Sequence, residues 1–248
     1  MVEMACPDCF TSLLYGKWSG DCCAQYRQQL GKEVPDLTPP GFLRNPAYLF
    51  EVSRYEAIAQ AGPENYEGYA ESKPQERALV MRGLLEEANV TEFINVGPGF
   101  GALEDVTAPF RRVAVDSCQR FLCRIRERHP NVQCVRGVAE RLPFVTGTVP
   151  CLVADSVLQS IVDRERFLYE IGRVCSPDAK LFLTVAYAWN YPRRPQNGFN
   201  VNRPDELATL FRFLWELGFS IKARYLNVGQ GWVDDKDEGQ YLYVMGER

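Results

Sequence analysis

From Glu92 onward, short apolar runs alternate with amphipathic helical patterns, and this alternation restricts the possible folds more than any other feature. "EFINVG", "RRVAVDS", "VQCVRG", "PCLVADS" and "KLFLTVAYA" read as five strands, with helices such as "CQRFLCRIRERH" and "RERFLYEIGRVC" between them. A strand reached through a crossover helix lies parallel to its neighbour, and a sheet built this way is covered on both faces. The end of the chain breaks the pattern. The helix "ELATLFRFLWELGF" is followed by "SIKARYLNV" and "GQYLYVMGE" with no helix between, so these two strands are expected to pair antiparallel.

Two regions precede this domain at 91–248. Residues 1–40 hold Cys6, Cys9, Cys22 and Cys23 and end in "VPDLTPPG", whose prolines continue neither a helix nor a central strand, so a small module and its linker are expected. Residues 41–90 carry apolar positions at helical spacing in "PAYLFEVSRYEAIAQ" and "PQERALVMRGLLEEANV", predicting a helical cap. The other five cysteines, Cys118, Cys123, Cys134, Cys151 and Cys175, stand singly in apolar segments and read as core filler.

A composition of 46% hydrophobic and 24% charged residues over 248 positions is that of a globular protein. The formal net charge of -4 supplies no global basic field, so no nucleic-acid partner is expected. "MVEMACPDCF" lacks the basic flank and apolar core of a secretory signal, and no segment approaches the roughly 20 apolar residues of a membrane span. A cytoplasmic location with no membrane partner is the expectation.

Gly97, Gly99 and Gly101 in "GPGFGA" fall where the first strand must turn into a helix. Without side chains there, backbone N–H groups can approach a ligand at the positive end of the helix. The spacing also satisfies the dinucleotide form G-x-G-x-x-A, and Asp116 at the end of the second strand can accept ribose hydroxyls in either kind of fold. These two features alone leave the nucleotide open.

Beyond them, the chain resembles the class I S-adenosylmethionine-dependent methyltransferases, in particular their small-molecule branch, from about Tyr66 to the C-terminus. The resemblance is carried by "INVGPGFG", "VAVDS", "RGVAERLPF", "VADSVLQSIVDRERFLYEIGRVCSPDAKLFLT" and "LWELGFSIKARYL". It implies a Rossmann-like, seven-stranded α/β sheet, parallel with a final antiparallel strand, and helices on both faces. It also implies S-adenosylmethionine as cofactor, with Gly97, Pro98, Gly99, Phe100 and Gly101 passing under its methionine and ribose parts. Asp116 and Ser117 would then lie at the ribose, Ala139 and Glu140 at the adenine, Asp155 and Ser156 at the end of strand four, and Tyr66 of "YEGYA" over the carboxylate.

The chain departs from the family pattern at several places. Asn95 stands where the family has an acidic residue that indirectly holds the cofactor's amino group; an amide oxygen still accepts a hydrogen bond, but loss of the ionic share is worth about 1 kcal/mol. Val138 replaces an aspartate at the adenine, Cys151 an aspartate near the start of strand four, and Gln159 with Ser160 a common histidine pair.

Methyl transfer from a sulfonium needs alignment and, for some acceptors, a base. Asp155 is the carboxylate candidate, since desolvation there would raise its pKa; capping of the next helix is the other reading. The only histidine, His129, lies at a helix end away from that edge and is read as solvated. Tyr187, Trp189, Tyr191, Arg193 and Arg194, in the insert after strand five, either line a pocket for a flat or acidic small molecule or anchor a surface loop. Asn-Pro-Pro-Tyr-like sequence is absent after strand four, which removes the usual sign of DNA-base methylation.

The N-terminal segment resembles the short zinc ribbon attached to many methyltransferases. Cys6, Cys9, Tyr26 and "VPDL" match it and Cys22 falls at the fourth ligand position, while Ser19 replaces the third cysteine. Cys23 is the available substitute, and the alternatives are bound zinc or a ribbon that has lost its metal. The functional expectation is methyl transfer to a small molecule. Its alternatives are an inactive cofactor-binding or scaffolding descendant and an NAD(P)-dependent oxidoreductase.

Overall fold

A computed structural model of the chain describes residues 2–10, 12–13, 26, 28–30, 32–66, 73–186, 204–227, 230–234 and 241–248. Its centre is β1 (Glu92–Val96), a five-residue strand buried along its whole length. Such a strand must be covered on both faces, and it is flanked by β2 (Arg111–Asp116) and β4 (Val149–Asp155), both parallel to it. β3 (Gln133–Arg136) extends the sheet beyond β2, and β5 (Cys175–Ala186) lies parallel beside β4.

The remaining strands, β6 (Ser220–Asn227), β7 (Gly231–Val233) and β8 (Tyr241–Glu247), complete the order β3-β2-β1-β4-β5-β8-β6-β7. β8 inserts antiparallel between β5 and β6, in agreement with the expected pairing of the last two long strands. Among the described residues the sheet has one strand beyond the expected seven: β7 adds antiparallel to β6 through Tyr225↔Val233, Leu226↔Trp232 and Asn227↔Gly231. Three residues are too few for an alternation pattern, so β7 had no sequence signature.

Among the described residues six α-helices connect and cover the strands: α1 (Pro46–Ala61), α2 (Pro74–Glu87), α3 (Ala102–Val106), α4 (Gln119–Arg128), α5 (Arg164–Val174) and α6 (Pro204–Glu216). α1 starts where Asn45 accepts a hydrogen bond from the Ala47 N–H (3.0 Å) with Pro46 in the first turn, and α5 where Asp163 accepts from the Arg166 N–H (3.0 Å). Side chains alternate across the sheet. Ile94, Leu152 and Leu181 face α5 and α6, whereas Phe93, Val153 and Phe182 face Ala78, Met81 and Leu85 of α2. Among the described residues no helix is long and apolar enough to cross a membrane.

The N-terminal segment lies against the β3 edge. Leu37 donates its N–H to the Arg136 carbonyl (2.8 Å) and Arg136 donates to the Pro35 carbonyl (2.8 Å), while Ala5 donates to the Pro143 carbonyl (3.0 Å). Met4, Cys6, Leu13 and Leu37 are buried in the same apolar cluster as the sheet.

Candidate functional site

Because β2 and β4 leave β1 in opposite directions, the carboxyl ends of β1 and β4 diverge and open a crevice. A cavity of about 230 Å³ occupies it, bounded by the loops after β1, β2, β3 and β4 and covered by α1. All three loop glycines have positive φ, yet for different reasons. A Cβ on Gly97 would stand 2.3 Å from Val157 Cγ2 and one on Gly101 2.7 Å from Ile125 Cγ1, whereas a Cβ on Gly99 would meet nothing within 4 Å. Gly99 therefore faces open space. Gly97, Pro98 and Phe100 also line the cavity, while Gly101 packs the loop closely against Ile125 and Arg128 of α4.

Asp116 and Ser117 line the cavity at the end of β2. Asp116 accepts from the backbone N–H groups of Cys118 (2.8 Å) and Gly99 (3.4 Å), which tie the two loops together. Burial pushes its carboxyl up to about 6, against those N–H bonds. After β3, Ala139 and Glu140 line the wall, but Glu140 turns its carboxylate to the N–H groups of Val162 (3.1 Å) and Asp163 (3.3 Å). Val138 packs with Tyr48 and Val52 of α1, so its apolar side chain belongs to the contact that holds the cover in place.

Asn95 is buried at the floor of the cavity and donates its amide to Glu104 Oε1 (2.8 Å). This bond leaves Asn95 Oδ1 and Glu104 Oε2 buried without a partner. Glu104 has no solvent exposure, and burial raises its carboxyl to about 7, against the Asn95 hydrogen bond. Arg112 lies close, but its guanidinium donates to the backbone carbonyls of Glu104 (2.8 Å) and Phe110 (3.2 Å).

At the end of β4, Asp155 is ion-paired with Arg77 of α2, whose Nη2 and Nε lie 2.9 and 3.4 Å from its two oxygens. Thr184 of β5 donates its hydroxyl to the same carboxylate, and Arg77 lies over the Tyr241 ring, 4.6 Å from the centroid. Asp155 is thus one half of an ion pair, and the side chain that caps α5 is that of Asp163. Ser156 follows with φ 55°, a left-handed conformation that is costly for a residue with a Cβ, and its hydroxyl is buried without a partner.

Tyr48, Tyr55 and Tyr66 complete the cover, Tyr55 through a short hydrogen bond to Ser160. His129 lies away from the cavity, with Nε2 2.6 Å from Asp105 Oδ1. Tyr187, Trp189, Tyr191, Arg193, Arg194, Cys22 and Cys23 lie outside the described residues. Cys6 is buried and Cys9 exposed, and among the described residues no group of three or more His, Cys, Asp or Glu side chains could hold a metal ion.

Residues 94–183 match the family model described as a methyltransferase domain. The fold is that of the class I methyltransferases. One similar structure is a chain of the complex between the Haloferax volcanii Trm112 methyltransferase activator and a methyltransferase, with TM-score 0.58 and 14% identity over 78% of this chain and 96% of that one. Another is the YcgJ protein of Bacillus subtilis, with TM-score 0.52 and 13% identity over 69% and 98%. A third is a SAM-dependent methyltransferase from Aquifex aeolicus, with TM-score 0.50 and 16% identity over 67% and 88%. No curated protein sequence matches the chain.

S-adenosylmethionine, the cofactor that this methyltransferase family implies, fits the donors and acceptors present. Gly99 leaves room for backbone approach, Asp116 keeps acceptor capacity beyond its two N–H bonds, and Asn95 Oδ1 and Ser156 Oγ are buried beside the cavity without partners. Sequence reasoning missed Arg77, Glu104 and the α1 tyrosines. Arg77 left a trace, because it occupies the apolar stripe Pro74, Arg77, Ala78, Met81, Leu84, Leu85 of α2, where a cation needs a buried partner. Glu104 left none. In a five-residue helix a carboxylate in the first turn reads as an ordinary dipole contact.

Proposed function

We propose that the chain transfers a methyl group from S-adenosylmethionine to a small-molecule acceptor. The observation that carries this reading is the opening over Gly99, a left-handed glycine beside Asp116 with no protein atom within 4 Å of where a Cβ would stand. A glycine kept for packing, as at Gly97 and Gly101, would have a neighbour there. Asp116 would accept from the ribose hydroxyls and Asn95 Oδ1 from the amino group, and Val138 with Ala139 would supply an apolar wall for the base.

When bound, the cofactor supplies an electrophilic methyl group on a sulfonium. The protein aligns an acceptor with it and excludes water, both of which α1 favours by covering the crevice. Each described carboxylate lining the cavity is already engaged: Glu51 by Arg54 (2.8 Å), Asp116 and Glu140 by backbone N–H groups, and Asp155 by Arg77. None of the four stands without a donor already on its carboxylate. This arrangement suits an acceptor that is already nucleophilic near neutral pH, such as a thiolate, a carboxylate or an uncharged amine.

The same four engaged carboxylates support a second reading, a cofactor-binding protein without transferase activity. Calorimetric titration with S-adenosylmethionine, S-adenosylhomocysteine and NADH, followed by an acceptor screen that detects S-adenosylhomocysteine, separates the readings. Micromolar binding of both adenosyl compounds with turnover on at least one acceptor is the expected result. Binding without turnover across thiol, carboxylate and amine acceptors would favour the second reading, and binding of NADH alone would overturn both.

A further inference from the structure

The floor of the cavity holds a carboxylate that touches no ligand space. Glu104 is fully buried, does not line the cavity, and reaches it only through Asn95. A free amide can present either its oxygen or its nitrogen to a ligand. Donation from Asn95 Nδ2 to Glu104 Oε1 fixes that choice and leaves Oδ1 buried without a partner, as the acceptor. An oriented dipole with an anion behind it is selective for a cationic donor.

We propose that Glu104 is a positioning residue that makes Asn95 Oδ1 a subsite for an ammonium group, supplying from the first turn of α3 the negative charge that residue 95 lacks. The inference rests on the cofactor reading above and specifies how this chain holds the amino group. Asn95 faces Glu104 from β1, Arg112 from β2 and Cys134 from β3, and Asp105 adjoins it on α3. Of these, Arg112 opposes the negative charge while giving its hydrogen bonds to carbonyls, and Asp105 adds to it.

Charge at Glu104 then controls ammonium affinity. Its carboxyl titrates near 7, so below that pH it is increasingly neutral and Asn95 loses the anion behind it. An ammonium at Oδ1 favours the ionised form. Binding therefore draws the proton off and tightens as pH rises toward 7.5, where an α-amino group of pKa about 7.7–8.0 is still largely charged. Asp116 titrates near 6 and affects any adenosyl ligand, so the diagnostic quantity is a ratio between two ligands that differ only in the amino group.

The experiment is calorimetric titration of S-adenosylhomocysteine and of its analogue with hydrogen in place of the α-amino group, at pH 5.5 and 7.5. It is carried out on the wild type, Glu104→Gln and the exchange variant Asn95→Asp/Glu104→Gln. In the wild type the preference for the amino compound is expected to grow about tenfold between the two pH values. Glu104→Gln should cut the preference at pH 7.5 about fivefold and flatten it with pH, and the exchange variant should restore it by placing the charge at residue 95. A preference unchanged by Glu104→Gln, or independent of pH in the wild type, would overturn the role of Glu104 while leaving the cofactor reading intact. Failure of the wild type to bind either compound would overturn both.

Discussion

Holding a carboxylate inside the sheet opposes folding, and Glu104 shows the sign of that cost. Its carboxyl rises from 4.5 to about 7 on folding because burial disfavours the charged form. Between these values the native state holds a proton that the unfolded chain has lost, so stability falls as pH rises through the interval. The full penalty, present above about pH 7, is about 3 kcal/mol for a shift of this size. Glu104→Gln keeps the shape and an acceptor for Asn95 but does not ionise. Its urea-denaturation free energy is expected to match the wild type near pH 4.5 and to exceed it by about 2–3 kcal/mol at pH 8. Equal stabilities at both pH values would show that the carboxylate is not strained. A residue that costs stability at neutral pH and sits one hydrogen bond from a ligand cavity belongs to the stability–function trade-off seen at binding sites.

At the scale of elements, Arg77 and Asp155 join α2 to the end of β4, and Thr184 brings in β5. Removing one member of a buried pair strands the other charge, a loss of about 3–5 kcal/mol. Arg77→Ala should therefore lower the unfolding free energy by about that amount, and Asp155→Asn by a smaller amount because it leaves a neutral acceptor for Thr184. A loss below about 1 kcal/mol for Arg77→Ala would mean that water already screens the pair. Loss of turnover in an Asp155 variant is thus no sign of a base unless the fold is shown to survive. This pair marks where the sequence ceased to be legible. The strands from Glu92, the helices at 46–61 and 74–87 and the antiparallel end follow from apolar periodicity, because periodicity is what burial imposes on a chain. Gly99 and Asp116 were legible from the strand–turn–helix context. Long-range polar pairs are not, since neither the 78-residue separation of Arg77 and Asp155 nor the neighbourhood of Glu104 and Asn95 leaves a local pattern. Asp155 was singled out for its position at a strand end, but its ion pair with Arg77 was not legible because that partner lies on another element.

On the scale of the whole molecule, the sheet's β3 edge would be an open row of backbone donors and acceptors if the N-terminal segment did not lie against it. Val34 packs with Ala114 and Leu122, Asp36 pairs with Arg136 (2.9 Å), and Arg141 and Arg173 stack their guanidinium groups on Phe10 at 3.6 and 3.9 Å from the ring centroid. Met4, Cys6, Leu13 and Leu37 are buried in the central apolar cluster, and Met4, Leu13 and Leu37 each contribute about 1.5–3 kcal/mol when fully buried. Their sum rivals the whole stability of an ordinary domain, about 5–15 kcal/mol. A chain beginning at residue 39 should therefore lose cooperative unfolding or aggregate, even though it keeps the glycine loop, Asp116 and the cover helix. Thermal denaturation and size-exclusion chromatography of the truncated chain test this, with the full chain as reference. A truncated chain that stays monomeric and melts cooperatively within a few degrees of the full chain would show instead that the segment is a separable attachment. In that case the exposed Phe144 and β3 edge would have to be soluble without it, contrary to the packing that buries them.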